Sequence, residues 1–216
     1  MNFYTLLIIF GWLASIFFLA LFIRNRFTNN SEVTRKIIHI GSGPLIPLAI
    51  WLDISRQIII PIALTITTII IINNQIKIIP GIEDIERKSF GTIAYCLSIS
   101  FLLILLWPKN SVALMAGVLV MSFGDGLAGL IGKEFKSRQW KFMNQTKSII
   151  GTSVMAITST IVLLIVAYTY NVNTNLFVIG FIALISVILE QFSILGVDNF
   201  TVPIGVTFLW KYFETL

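Results

Sequence analysis

The segment 123–133 carries the most informative carboxylate of the chain, Asp125, at the end of an apolar run. Its glycines formally match the G-x-G-x-x-G pattern of dinucleotide sites, but that pattern works between a strand and a helix, and no strand precedes it here. Gly124, Ala128 and Gly132 are four residues apart, a spacing that lets membrane helices approach closely. Helix contact explains the glycines but not Asp125. A carboxylate in a spanning helix is costly and usually faces a cation or a cavity, so we interpret Asp125 as a functional residue.

A possible phosphate site follows in the basic loop that leads into the next apolar run. Ser148 can cap a helix that begins after it, because a serine hydroxyl accepts a hydrogen bond from a free N–H group at a helix N-terminus. The remaining N–H groups and the positive end of the helix dipole favour a phosphate, and Lys147 would add charge. A lysine at this place is also a common interfacial anchor. The loop predicts a phosphate site built from Lys147, Ser148, Gly151 and Thr152.

Two more acids lie near the end of the chain. Glu190 closes one apolar run, and Asp198 follows it in a Gly-Val-Asp-Asn stretch that opens the last run. Such a stretch forms a turn without needing any function. If the helices converge, however, both acids would join Asp125 in a site for a cation or a hydroxyl group.

His39 precedes a group of helix-breaking residues, Gly41, Gly43, Pro44 and Pro47. They predict a broken helix, and broken helices at membrane depth are tolerated mainly beside cavities, so His39 is a candidate to line one. A lone histidine is more often a structural hydrogen-bonding group than a catalyst. Further along, Arg87 and Lys88 belong to a mixed-charge loop before the next helix.

Long apolar helices must position these residues. The chain has 216 residues, of which 56% are hydrophobic, and a mean hydropathy of +0.92, far above a soluble domain. We predict an all-α integral membrane protein, a polytopic bundle of about seven transmembrane helices, since each crossing needs ~20 apolar residues. The whole chain, 1–216, forms one membrane domain, and the first run is a retained anchor rather than a cleaved signal. The apolar runs are 3–23, 37–52, 57–76, 91–107, 111–131, 148–170, 176–190 and 201–214.

The basic residues predict the orientation. If the loops alternate, Arg56, Lys109 and Lys211 lie on one side and the other Lys and Arg residues on the opposite side, which places both termini outside and the first loop in the cytoplasm. Membrane orientation and contact with anionic lipids account for the net charge of +5, so no nucleic-acid partner is predicted. Most acids share the basic side, as a site for a metal–phosphate complex requires, although a solvated loop face would look similar.

These segments, taken in order, resemble the polyprenol/phytol kinase family of membrane enzymes, which includes dolichol kinase and phytol kinase. The similarity covers 35–205 and leaves out an extra N-terminal helix, 1–24. It runs through Arg35-Lys36-Ile37-Ile38-His39, Glu86-Arg87-Lys88-Ser89-Phe90-Gly91-Thr92, Gly124-Asp125-Gly126-Leu127-Ala128-Gly129-Leu130-Ile131-Gly132-Lys133, Lys147-Ser148-Ile149-Ile150-Gly151-Thr152, Glu190 and Asp198-Asn199.

The resemblance implies transfer of the terminal phosphate of CTP to the hydroxyl of an isoprenoid alcohol, with Mg²⁺. The small size is closer to the phytol kinase branch, which favours phytol, farnesol or geranylgeraniol over a dolichol. The site would lie at the cytoplasmic face of a bacterial inner membrane or an internal photosynthetic membrane.

The resemblance also implies roles for individual residues. Asp125 would bind the metal, and Asp198 or Glu190 would bind a second cation or orient the acceptor hydroxyl. His39 is a further candidate for the base. The nucleotide phosphates would be bound by Lys147, Ser148, Gly151 and Thr152, with accessory charge from Lys133, Arg87 and Lys88.

Two other functions stay open. A phosphatidate cytidylyltransferase also combines CTP, Mg²⁺ and a similar Asp/Gly and Lys-Ser arrangement, but its longer terminal signature is missing here. A small non-enzymatic carrier would also explain an intramembrane Asp125 and a broken helix. A carrier tends to place its charges near the bilayer midplane, whereas these cluster towards one face. The oligomeric state is not indicated by the sequence.

Overall fold

The computed structural model describes residues 3–28, 31–76, 90–142 and 145–214. Within these ranges the chain is mainly helical, with one short hairpin and two π-helical turns, Arg24–Thr28 and Val120–Asp125. The elements are α1 (Phe3–Ile23), α2 (Ser31–Ser42), α3 (Leu45–Trp51), α4 (Arg56–Ile76), α5 (Gly91–Leu106), α6 (Ser111–Leu119), α7 (Gly126–Glu134), β1 (Gln139–Phe142), β2 (Gln145–Ser148), α8 (Ile149–Thr169), α9 (Leu176–Gln191) and α10 (Asp198–Glu214).

Four helical segments are long and apolar enough to cross a membrane: Tyr4–Arg26, Arg56–Ile76, Ser111–Glu134 and Ile149–Thr169. Helices α5 and α9 are also apolar but have 16 residues each, which is about 24 Å of helix against a hydrocarbon core of ~30 Å. The predicted helical membrane fold is confirmed. The prediction of about seven crossings, which accepted apolar runs that only approach ~20 residues, is not confirmed in the described part of the chain.

The predicted break in the second helical region is confirmed. Helix α2 ends at Ser42 and α3 begins at Leu45, with Gly43 and Pro44 between them. At Gly43 a Cβ atom would lie 2.5 Å from the Oγ atom of Ser122, so this glycine allows the end of α2 to lie directly against the π-helical turn. Because of the break, α2, the basic part of this helical region, lies against the segment that carries Asp125.

The centre of the bundle is the segment Ser111–Glu134, formed by α6, the second π-helical turn and α7. Helix α10 packs on α6, α8 packs on both α7 and the π-helical turn, and α2 packs on α7. Leu114, Met115 and Met121 are almost completely buried within this arrangement. Asp125 is the last residue of the π-helical turn, and such turns are frequent at functional sites.

The predicted small-residue contact is confirmed between α7 and α8. At Gly132 a Cβ atom would lie 2.9 Å from the Cα atom of Gly151, and at Gly124 it would lie 2.7 Å from the sulfur of Met155. The two helices approach closely because nothing larger occupies these positions.

The basic loop before α8 forms an antiparallel hairpin, an element that the all-helical prediction did not include. In its register Trp140 pairs with Lys147, and Phe142 pairs with Gln145. Aromatic residues favour strands, and the ring of Phe142 stacks edge-on against Phe192 with the ring centroids 5.2 Å apart. This contact fixes the hairpin against the residue that follows α9.

Candidate active site

Three buried carboxylates from distant parts of the chain converge at one end of the bundle. Asp125 comes from the central segment, Glu190 from the end of α9, and Asp198 from the first residue of α10. One carboxylate oxygen from each residue lies within 4.8 Å of the others, so the condition on which the sequence placed Glu190 and Asp198 in a site with Asp125 is met. Because their negative charges repel one another in a poorly solvated place, the cluster requires positive charge nearby.

Lys36 supplies positive charge to Asp125. Its Nζ atom lies 2.5 Å from Oδ2 of Asp125 and also donates to the Asp125 backbone carbonyl oxygen over 3.1 Å. The two side chains are only 11% and 12% exposed. Helix α2 therefore delivers a buried ammonium group to the acidic cluster.

Lys147 supplies positive charge to Glu190. It forms an ion pair with the Glu190 carboxylate and donates to the Glu190 backbone carbonyl oxygen over 2.9 Å. The amide nitrogen of Gln191 donates to the other Glu190 oxygen and to the Thr152 hydroxyl, each over 2.8 Å. Strand β2, α8 and α9 are thus joined through one polar network.

Asp198 makes no ion pair with any residue that the structure describes. Its Oδ1 atom accepts a hydrogen bond from the backbone N–H of Asn199 over 3.0 Å, and its own N–H donates to the Ser193 hydroxyl over 2.5 Å. The preceding turn contains Leu195 at φ 55° and Gly196 at φ 87°. A non-glycine residue in the left-handed region is uncommon and costs conformational energy. The turn therefore has a specific backbone shape, and this shape determines where α10 begins.

The donor set fits a hard divalent cation. Mg²⁺ prefers oxygen ligands and usually binds through one or two carboxylates together with substrate phosphates and water. The Asp198 carboxylate forms no ion pair with a described residue, and Asp125 lies beside it. These two residues, with Glu190 adjoining, can hold such an ion.

The start of α8 has the predicted cap. The Ser148 hydroxyl oxygen accepts a hydrogen bond from the Gly151 N–H over 3.1 Å and donates to the Gly132 carbonyl oxygen over 3.2 Å. The Thr152 hydroxyl donates to the Ser148 carbonyl oxygen over 3.0 Å. The bonds to Gly151 and Gly132 occupy the Ser148 hydroxyl, so the role that the structure gives this side chain is to cap α8. Phosphate binding at Lys147, Ser148, Gly151 and Thr152 stays a prediction.

Two cavities meet at the carboxylate cluster. The apolar cavity has a volume of about 260 Å³ and lies among α1 to α5, with lining residues that include Leu13, Ile46, Ile59, Ile66, Cys96 and Leu103. The polar cavity has a volume of about 610 Å³, and its lining includes Lys133, Lys147, Thr152, Glu190, Gln191 and Asp198. Four residues line both cavities: Arg35, Lys36, Asp125 and Asn199. An apolar and a polar ligand could therefore meet at Asp125.

His39 lines the apolar cavity, as the broken helix predicted. Its Nε2 atom lies 3.3 Å from the Met121 carbonyl oxygen and 3.7 Å from Oδ2 of Asp125, and its ring packs against Tyr95 at a tilt of 54° with the centroids 4.3 Å apart. Both neighbours of Nε2 are acceptor oxygens, and a neutral ring that keeps its proton on Nε2 to donate to them has its lone pair on Nδ1.

The other predicted residues fall in different places. Lys133 is exposed at the end of α7 and lines the polar cavity. Arg87 and Lys88 lie outside the described residues. Lys36 and Asn199 belong to the sequence motifs given above, but the motifs do not predict a role for either residue. Lys36 lies three residues before His39 on one helix, a spacing that puts both on the same face and could have indicated it.

Comparison with known proteins gives three matches. The chain is 35% identical over 178 residues to a phytol kinase of Synechocystis sp., covering 81% of this chain and 76% of that protein. It is 29% identical over 187 residues to an uncharacterized protein of Methanocaldococcus jannaschii, covering 82% and 92%. It is 24% identical over 200 residues to phytol kinase 1, chloroplastic, of Arabidopsis thaliana, covering 81% and 64%. No family model and no solved structure matches the chain.

Proposed function

We propose a function for this chain from one premise: the chain belongs to the phytol kinase family. It is a phosphotransferase that phosphorylates the terminal hydroxyl of an isoprenoid alcohol, with CTP as donor and Mg²⁺ as cofactor. Phytol is the preferred acceptor, followed by geranylgeraniol and longer polyprenols. The reaction takes place at the cytoplasmic face of the membrane, where the basic loops face anionic lipids and the nucleotide.

The junction of the two cavities is the observation that carries this proposal. An isoprenoid tail needs an apolar chamber with access from the bilayer side of the bundle, and a nucleoside triphosphate needs a polar chamber with basic groups. The two chambers of this chain share the wall formed by Arg35, Lys36, Asp125 and Asn199. An alcohol with its tail in the apolar cavity would therefore present its hydroxyl where the terminal phosphate of the nucleotide arrives.

The transfer itself requires positioning and charge neutralisation more than covalent chemistry. The bond between the terminal phosphorus and its bridging oxygen breaks, a bond forms between that phosphorus and the alcohol oxygen, and the nucleoside diphosphate leaves. The hydroxyl proton goes to Nδ1 of His39, which lines the cavity that holds the alcohol. Lys147 and the N-terminus of α8 bind the phosphates of the nucleotide, and Lys133 adds charge at the edge of the polar cavity.

Asp125 and Asp198 would hold the Mg²⁺ ion, which neutralises charge on the nucleotide phosphates, with Glu190 close enough to complete or orient the set. The ion pairs support Asp198 as a metal ligand. Glu190 is paired with Lys147 and Asp125 with Lys36, so Asp198 is the carboxylate of the cluster without a basic partner in the described part of the chain.

The test is a matrix of donors and acceptors with detergent-purified protein. Labelled CTP and ATP are each combined with phytol, geranylgeraniol, a long polyprenol and phosphatidic acid, with and without Mg²⁺. The proposal expects a labelled isoprenyl monophosphate, formed best from CTP and phytol and only with Mg²⁺. A CDP-lipid formed from phosphatidic acid would support a cytidylyltransferase instead, and no product from any pair would support a carrier.

A further inference from the structure

Lys36 lies at the wall between the two cavities and contacts the carboxylate cluster directly. It lines both cavities, as Arg35 does, whereas Lys133 and Lys147 line only the polar one, and its Nζ atom forms the ion pair with Asp125. Its hydrogen bonds to the carbonyl and carboxylate oxygens of Asp125 use two of the three N–H donors of the ammonium group. One donor is left for a further acceptor at the wall between the cavities.

Gly129 makes room for this side chain. A Cβ atom at position 129 would lie 2.7 Å from Cε and 2.9 Å from Nζ of Lys36. Gly126, three residues earlier on α7, faces the side chain of Ile40 in the same way. Helix α2 therefore lies on a glycine face of α7, and Gly129 is the position over which the end of Lys36 reaches Asp125.

A purely structural role for Lys36 would be to neutralise Asp125. Buried ion pairs of this kind contribute little net stability, because desolvation of both ions offsets their attraction. A structural pair needs only a positive charge beside Asp125, so it would tolerate arginine, which keeps the charge. The position of Lys36 at the wall shared by both cavities also allows its ammonium group to contact a ligand that lies between them.

We infer that Lys36 is a catalytic residue that contacts the transferring phosphoryl group, and that Gly129 is the positioning residue that makes this contact possible. The inference rests on the proposed kinase function. Negative charge spreads over the phosphoryl oxygens during transfer, and a compact ammonium group beside them stabilises it. Asp125 holds the ammonium group at the point where the phosphoryl group crosses from the polar to the apolar cavity.

The test compares Gly129→Ala with Gly180→Ala in the full-length protein. Both glycines lie in helices, but a Cβ atom at Gly180 has nothing within 4 Å, whereas at Gly129 it meets the flexible end of Lys36 rather than backbone. We expect Gly129→Ala to lower kcat by ~10-fold or more while the equilibrium affinity for labelled CTP with Mg²⁺ stays within about threefold, since the loss is confined to the transition state. Gly180→Ala should match the wild type in both.

Lys36→Arg provides a second measurement that does not depend on how Gly129→Ala folds. It keeps the pairing with Asp125 but replaces a point charge with a larger planar group, so kcat should fall by ~10-fold or more with unchanged thermal stability. Wild-type kcat in both Gly129→Ala and Lys36→Arg would overturn the inference. Absence of any phosphate transfer by the wild type would instead refute the proposed function, so the two failures are distinguishable.

Discussion

Lys147, on strand β2, donates to the backbone carbonyl oxygen of Glu190 over 2.9 Å and forms an ion pair with its carboxylate, although 43 residues separate the two. The side chains are only 10% and 9% exposed. This contact ties the hairpin to the end of α9 and closes one side of the polar cavity. It also sets a basic group beside the carboxylate cluster.

The pair gives a prediction that separates stability from function. Lys147→Met and Glu190→Gln should each lower the unfolding temperature, because removing one partner of a buried pair leaves an uncompensated charge or polar group, at a cost of up to ~3–5 kcal/mol. The double variant Lys147→Met with Glu190→Gln should recover much of that stability but not the phosphate transfer. Thermal unfolding in detergent and CTP turnover measure the two effects. Full activity in the double variant would show that the pair serves the fold alone.

Asp198→Asn should raise the Mg²⁺ concentration that gives half-maximal activity by ~10-fold or more, because it removes a charged ligand from the proposed site. The matched control is Asp53→Asn, at an exposed residue with φ 47°, a conformation that asparagine also adopts readily. A Mg²⁺ titration of both variants is the measurement. An unchanged requirement in Asp198→Asn would remove this residue from the metal site.

Cys96→Phe should raise KM for phytol several-fold and leave KM for CTP unchanged, because Cys96 lines the apolar cavity and a ring would occupy space that the tail needs. Leu97→Phe is the control, since the next residue of α5 is 42% exposed on the outer surface. Initial rates with phytol and the shorter farnesol measure the effect, and farnesol should be affected less. If both KM values change together, the cavity does not bind the acceptor alone.

The features that could be predicted from the sequence were local ones. Glycine and proline at 43 and 44 predicted the broken helix, and Ser148 predicted the cap of α8, because each depends on backbone chemistry within a few residues. The spacing of Gly124 and Gly132 predicted the close contact of α7 with α8. Apolar run length predicted about seven crossings, which is not confirmed, since four described segments are long and apolar enough to span and α5 and α9 are shorter.

Features that depend on tertiary packing were not predictable in this way. The ion pair of Lys36 with Asp125 joins residues 89 positions apart, so no local pattern indicates it. The hairpin was overlooked because two four-residue strands carry too little periodicity to distinguish them from a basic loop. The sequence could place Asp198 in a site with Asp125 only on the condition that their helices converge, and only the tertiary structure shows that they do.

The most direct test of the central claim is transfer of the terminal phosphate from labelled CTP to phytol by purified wild type, Asp125→Asn and Asp53→Asn. If Asp125 is where donor and acceptor meet, the wild type and Asp53→Asn form phytyl monophosphate at equal rates, and Asp125→Asn loses ~10²-fold or more of kcat while remaining folded. Equal turnover by Asp125→Asn, or no phytyl monophosphate from the wild type, would contradict the account.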